Sequence, residues 1–397
     1  MYNNYFKKGV GILLMIFLVA CVSEATNEKL LETQISELKL EYAPDKRTAL
    51  FNVEAEKKTK KYILKGESNL PEAVRALKEK LMAQNIDFLD SIRILPAIEL
   101  EGKTQAIINI SVANLRSNPK HSAELATQAT LGTPVKVLKK EGDWYYIQTP
   151  DKYLAWVDHG GIELMDSSQM EKWQTSDKII YTKTYGHSYD STETKQQVSD
   201  LVAGNVLELA QDAEDFYVAR YPDGREAHIW KDEAEEYSLW LENLDRSTEN
   251  LVTTSKTLMG VPYLWGGTST KGMDCSGFTK TVYFLNGMVI PRDASQQVHT
   301  GKPIDSLKNF ENLQKGDLLF FGRKATDSTA EKVVHVGMWI GNNEFIHASE
   351  MVRISSMDEA AANFDEFNRN RYLRTQRILK ENDEKLISLL ETPLFKD

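Results

Sequence analysis

The chain has 397 residues, 41% hydrophobic and 27% charged, enough apolar material for two to four globular domains. A net charge of −10 and a pI of about 5.4 argue against a protein that neutralises a phosphate backbone, so nucleic acid is not an expected partner. Two cysteines, Cys21 and Cys275, are too few for a disulfide framework.

In chain order, Lys7 and Lys8 precede an apolar run from Val10 to Ala20, of signal-peptide length and too short to span a bilayer. The run closes on Leu18-Val19-Ala20-Cys21, which resembles the lipobox of bacterial lipoproteins. That resemblance implies a leader over 1–21, cleavage before Cys21 and acylation of that cysteine, so that an exported body is lipid-anchored to a bacterial membrane. An ordinary secretory leader with an incidental cysteine is the alternative. With Cys21 acylated, Cys275 has no disulfide partner, and a lone thiol in an oxidising compartment calls for reactivity or burial.

Residues 22 to about 37 are polar and read as a tether. Strand patterns at Thr48–Glu54 and Lys61–Lys65, helical spacing over Pro71–Leu81 with proline in the first turn, and a strand over Phe88–Leu95 predict a small α/β domain ending near 100. It carries no chemistry and reads as a spacer or docking unit. Residues 101–166 shift to short β segments, Ala106–Val112, Pro134–Leu138, Trp144–Gln148 and Tyr153–Val157. Turns at Gly132, Gly142-Asp143 and Pro150-Asp151 divide them, the pattern of a small barrel. Asn114-Leu115-Arg116-Ser117, Gln128 to Val135 and Gly142-Asp143-Trp144-Tyr145 resemble bacterial SH3-like cell-wall domains. Weaker segments at Lys178–Thr184, Val206–Leu209, Phe216–Ala219 and Glu226–Trp230, with a hairpin turn at Asp223-Gly224, predict a diverged second SH3-like domain over 167–240. An acidic helix over Asp232–Leu244 links it onward. Residues 245–380 open on a helix through Leu251–Leu258 and end in strands Asp317–Phe321, Val333–Ile340 and Glu344–His347. That order predicts α+β with the helix on one side of an antiparallel sheet. Residues 381–397 read as a tail or terminal helix.

The chemistry centres on Cys275. Gly266-Gly267 and Gly272 supply flexible backbone before Asp274, an N-cap residue type, and an apolar helix face follows from Phe278 to Leu285. Cys275 then occupies a first helical turn, where the helix end favours a thiolate and free N–H groups can hold an oxyanion. A lone cysteine is more often a buried small hydrophobe, so the thiol alone decides little. His335 in Val333–Ile340 and His347 in Glu344–His347 flank the hairpin-type turn Gly341-Asn342-Asn343, which brings them close to cross-strand register. His335 can take the thiol proton while His347 fixes its tautomer. Two unrelated histidines and a zinc site are the alternatives, the latter disfavoured by the lack of CxxC or HxxxH spacing.

Residues 253–360 resemble the NlpC-type family of papain-like bacterial cell-wall cysteine peptidases. The resemblance rests on Pro262-Tyr263-Leu264-Trp265-Gly266-Gly267, Asp274-Cys275-Ser276-Gly277-Phe278, Pro291-Arg292-Asp293-Ala294-Ser295-Gln296, Gly316-Asp317-Leu318, Val334-His335-Val336-Gly337 and His347. It implies Cys275 as nucleophile, His335 as base and His347 as the third polar residue, with no metal or organic cofactor. It also implies hydrolysis of the γ-D-glutamyl–diamino acid bond of peptidoglycan stem peptides. SH3-like domains ahead of the peptidase are similar to the YkfC-type dipeptidyl-peptidases, which require a free N-terminal L-alanine. By position, Glu124 and Tyr153 would hold its ammonium, and Tyr263, Trp265, Asp274, Ser276 and Asp293 would line the cleft. The expected molecule is a monomeric α+β multidomain enzyme acting on muropeptides. An endopeptidase of intact wall, an amidase or acyltransferase on the same fold, and a wall-binding lipoprotein with an idle catalytic fold are the rivals.

Overall fold

The computed structural model describes residues 28–58 and 61–391. Cys21 and the leader lie outside the described residues. The chain divides into two compact units, one ending at Glu99 and one beginning at Leu100.

In the first unit, residues 28–42 form a helix that buries Leu31 and Leu38 in the unit's core, so the polar stretch expected to be a tether is largely structural. Its exposed face is charged, which hides the helix from a reading by composition. Strands Phe51–Lys58 and Lys61–Ser68 pair antiparallel. The helix Pro71–Ala83, which buries Val74, Leu77 and Leu81, then crosses over to Phe88–Ile94, parallel to the second strand. This is the expected small α/β unit.

The second unit opens on a seven-stranded antiparallel sheet in the order Ile162–Met165, Gln105–Ile108, Pro134–Glu141, Trp144–Gln148, Leu154–Asp158, Val112–Arg116, Leu125–Thr130. Its inner face buries Ala106, Ile108, Leu115, Val137, Ile147 and Val157. The expected single strand Ala106–Val112 is two strands. The apolar run is nearly continuous, but the chain changes partners within it: Asn109 N–H donates to Gly161, and Leu131 N–H to the Ser111 carbonyl. Leu125–Thr130 was not expected, because Thr127, Gln128 and Thr130 break the apolar alternation on a strand whose polar groups serve a neighbouring domain. After the helix Ser167–Thr175, closed by an Asp166/Gln169 capping box, a second seven-stranded antiparallel sheet follows. It includes the unexpected strands Tyr185–Tyr189 and Gln197–Val202, and its core holds Ile179, Leu201, Leu207, Ala219 and Ile229. The expected linker helix begins instead with a strand, Ala234–Glu236, before turning helical over Tyr237–Asn243.

The remaining residues build an antiparallel six-stranded sheet in the order Lys302–Asp305, Tyr372–Arg377, Leu318–Arg323, Lys332–Gly341, Glu344–Ser349, Met351–Ser356. The helix Cys275–Phe284 packs on it through Phe278 and Val282 against Leu318, Phe320, Val336, Met338 and Ile346. The chain after 381 is neither a free tail nor a helix as far as residue 391. Ile387–Ser388 pairs with Met288–Val289 and Leu389 is fully buried. The molecule is α+β and multidomain, with the helix Cys275–Phe284 lying against the antiparallel sheet.

Candidate active site

Cys275 is the first residue of its helix. Asp274 caps it, accepting the Gly277 N–H at 2.7 Å. The turn before the helix must come very close. A Cβ on Gly277 would lie 1.9 Å from the Gly267 carbonyl oxygen, and one on Gly266, whose φ is +80°, would lie 2.2 Å from the carbonyl oxygen of Leu125 in the first barrel. Glycine is the residue that both contacts and that backbone angle demand.

Beneath the helix start lies Arg292, 1% exposed. Its Nη2 donates to Asp274 Oδ2 at 2.7 Å and its Nη1 to Asp274 Oδ1 at 3.1 Å. Nη1 also reaches Ser276 Oγ at 2.9 Å, and Nε reaches Thr127 Oγ1 of the barrel at 2.8 Å. A buried ion pair with four of the guanidinium's five N–H groups bonded is rigid because either charge left alone would be costly. Gln128 caps the opposite side of the turn, its Oε1 accepting from Thr268 N–H and Ser269 Oγ, each at 3.0 Å. Sequence reasoning assigned no role to Arg292 or Gln128; Arg292 was signalled only as part of Pro291-Arg292-Asp293.

The histidines come together. Asn342 and Asn343 both take positive φ, 54° and 59°, forming the tight hairpin turn between their strands. His335 Nε2 lies 2.7 Å from His347 Nδ1, and His347 Nε2 lies 3.0 Å from Ser355 Oγ. Phe321 and Phe345 wall the two rings. The arrangement leaves His335 Nδ1 outside the bond between the rings. No hydrogen bond joins Cys275 to His335 among the described residues, but the Cys275 helix packs on the His335 strand.

Burial, and then the neighbouring Asp274 charge, push the Cys275 thiol up to about 12, against the Val336 N–H and Arg292, which favour the thiolate. Burial, His347, Arg371 and Arg353 together hold His335 well below its ordinary value. His347 is brought down to about 4 by burial, with Asp365 opposing and Arg353 and Arg371 assisting. Burial thus disfavours the thiolate and both imidazolium forms, which suits a proton transfer concerted with attack.

The remaining candidates sort by position. Tyr263 and Trp265 are exposed at 37% and 63% on the turn ahead of the helix. Burial and then Cys275 push the Tyr263 phenol up to about 12, which places its hydroxyl in the field of the thiol. Trp265 Nε1 donates to Glu124 Oε1 of the barrel at 2.7 Å, and the buried Tyr153 donates its hydroxyl to Asp293 Oδ2 at 3.2 Å. Glu124, Trp265, Tyr153 and Asp293 thus form a seam where barrel meets peptidase. Asp274 and Ser276, expected to line the cleft, are 6% and 5% exposed, with their side chains committed to Arg292 and the helix cap.

A model of the NlpC/P60 family matches residues 260–367, and one of the bacterial SH3 domain matches 111–163. A gamma-D-glutamyl-L-lysine dipeptidyl-peptidase of Bacillus cereus (strain ATCC 10987 / NRS 248) is 32% identical over 238 residues, covering 58% of this chain and 69% of its own. The chain belongs to the NlpC/P60 family of cysteine peptidases. Dipeptidyl-peptidase 6 of Lysinibacillus sphaericus is 29% identical to this NlpC/P60 peptidase over 266 residues, 64% of this chain and 92% of the relative. The crystal structure of an NlpC/P60 family protein from Bacillus cereus ATCC 10987 matches with a TM-score of 0.58 at 26% identity, over 69% of this chain and 99% of that one. The likeness to the NlpC/P60 peptidases therefore takes in the barrels as well as the catalytic sheet.

Proposed function

We propose that this enzyme hydrolyses the γ-D-glutamyl–diamino acid bond of peptidoglycan stem peptides that carry a free N-terminal L-alanine. The observation that carries this reading is the seam in which the barrel's Glu124 meets Trp265 at 2.7 Å, beside the turn that delivers Cys275. A carboxylate placed beside that turn is suited to an ammonium group. The named activity of the Bacillus and Lysinibacillus relatives, whose similarity spans barrel and peptidase together, supports it. The probable peptidoglycan endopeptidase LytE of Bacillus subtilis, 37% identical, matches only 29% of this chain and speaks for shared chemistry, not for the cleft end.

In this reading His335 Nδ1 takes the thiol proton as Cys275 Sγ attacks the γ-glutamyl carbonyl. The oxyanion rests on the N–H groups of the first helical turn and the Tyr263 hydroxyl. His335 returns the proton to the leaving amine, a thioester forms, and water activated by His335 releases the dipeptide. His347 holds the His335 ring through the 2.7 Å bond. A digest of L-Ala-γ-D-Glu-L-Lys and of its diaminopimelate counterpart, read by mass spectrometry, is expected to yield L-Ala-D-Glu and the free diamino acid. Cleavage at the L-alanyl bond instead, or no cleavage of either peptide, overturns the reading.

The protein is further proposed to be exported and held at a membrane by acyl chains on Cys21, working there as a monomer. The leader pattern supports this, and among the described residues no helix is long and apolar enough to cross a membrane. Cys21→Ala is expected to leave the membrane fraction or to keep its leader. Unchanged fractionation together with an unchanged processed mass would rule out the anchor.

A further inference from the structure

The histidine pair does not end at His347. His347 is fully buried, and its Nε2 faces two groups, Ser355 Oγ at 3.0 Å and Asp365 Oδ2 at 4.0 Å. Ser355 lies on Met351–Ser356, the strand next to that of His347. Asp365 stands before the short helix Glu366–Asn370, with its N–H bonded to the Ser356 carbonyl at 2.9 Å. Its side chain is 12% exposed and tightly held. Oδ1 accepts the Asn368 N–H at 2.9 Å and Oδ2 accepts Asn368 Nδ2 at 2.6 Å. Among the described residues no lysine or arginine forms an ion pair with it.

We propose that Asp365 is a positioning residue of the hydrolytic reaction, a carboxylate that acts through His347 on His335, with Ser355 as the acceptor that fixes the His347 ring. The proposal rests on the assignment of His335 as the base.

Hydrogen bonding dictates the proton positions. For His335 Nδ1 to receive the thiol proton, its own proton must sit on Nε2 and be donated to His347 Nδ1. His347 then carries its proton on Nε2, where Ser355 Oγ accepts it. Once the thiol proton arrives, the His335–His347 pair holds a positive charge in a place that resists it. Arg353, from the strand of Ser355, and Arg371, leading into Tyr372–Arg377, both repel that charge, and burial adds to the cost. Cys275, from its helix, supplies no lasting counter-charge, since its sulfur is a neutral thiol before attack and part of a neutral thioester after it. Asp365 is the carboxylate set on the far side of the pair, where its charge persists through the whole cycle. Asn368 links the opposing groups, bonding Asp365 through its amide and accepting Arg371 Nε on Oδ1 at 2.9 Å.

Asparagine caps a helix as well as aspartate does, so Asp365→Asn removes the charge while its one amide oxygen still accepts the Asn368 N–H; the second bond, from Asn368 Nδ2, is given up. A neutral side chain leaves Arg353 and Arg371 unopposed, so the protonated pair is less stable and gives up its proton at lower pH. The acid limb of the kcat profile, below which His335 is already protonated and cannot take the thiol proton, moves to lower pH. The expected result for Asp365→Asn is a fall in kcat of about tenfold or more with KM within about twofold. Asp365→Glu, which retains the charge, regains part of the loss and the original limb. A wild-type kcat and limb position in Asp365→Asn overturns the proposal. So does an equal loss in the Asn and Glu variants with a lowered Tm, which marks a purely structural residue. Retained activity in His335→Ala, by contrast, overturns the base assignment beneath it.

Discussion

Cys275→Ser is expected to lose at least about 1,000-fold in turnover of L-Ala-γ-D-Glu-L-Lys, and His335→Ala to lose as much. The expectation follows from where the thiol sits. It is buried under the first helical turn, and burial pushes its proton affinity up, so attack depends on handing that proton to a base at the moment of bond formation. A serine hydroxyl holds its proton far more tightly, and imidazoles whose own affinity is depressed by burial and by Arg353 and Arg371 are poorly placed to take it. Loss of the ring in His335→Ala leaves the thiol with no acceptor. Serine is smaller than cysteine and sits at a capped helix start, so circular dichroism should report an unchanged fold. More than a tenth of wild-type turnover in either folded variant would remove that residue from the mechanism. A chelator is expected to leave the wild type active, and inhibition by one would point to a metal at the thiol and histidines.

N-acetylation of the same tripeptide is expected to lower kcat/KM by about 100-fold or more. Two effects combine, and their sizes can be separated. Glu124 is exposed, so its pairing with an ammonium is screened and is worth only about 1 kcal/mol, roughly a fivefold change. Glu124→Ala should therefore raise KM by about that factor on the free peptide. The larger share is expected from exclusion at the seam, where Trp265 is tied to Glu124 and Tyr153 to Asp293 across the domain junction. Equal kcat/KM for acetylated and free peptide would reject the closed cleft and describe an endopeptidase of intact wall.

The geometry around Cys275 and the two histidines was legible because its sequence signals are local. Asp274, Cys275 and the glycines announce a capped helix start, and an Asn-Asn turn sets two histidines on facing strands. The seam was placed by family resemblance alone, and nothing in the spacing of Glu124 and Trp265, 141 positions apart, signals that they touch. Arg292 was read as part of a motif without a role, since a buried arginine looks in sequence like any surface charge. Ser355 and Asp365 were missed for a related reason. They act on His347 from a neighbouring strand and a loop, and their residue types are those of ordinary turns. The strand Leu125–Thr130 escaped because its polar residues, which break the pattern of a barrel strand, are the ones that bond the peptidase: Thr127 to Arg292, and Gln128 to Thr268 and Ser269.

The contact between Gly266 and the carbonyl of Leu125 leaves no room for even a methyl group on the turn that leads to the nucleophile. Specificity and reactivity therefore share one piece of backbone. A lineage that replaced this barrel to reach new substrates would disturb the Cys275 helix at the same stroke, and one that altered the turn would lose its fit to the barrel.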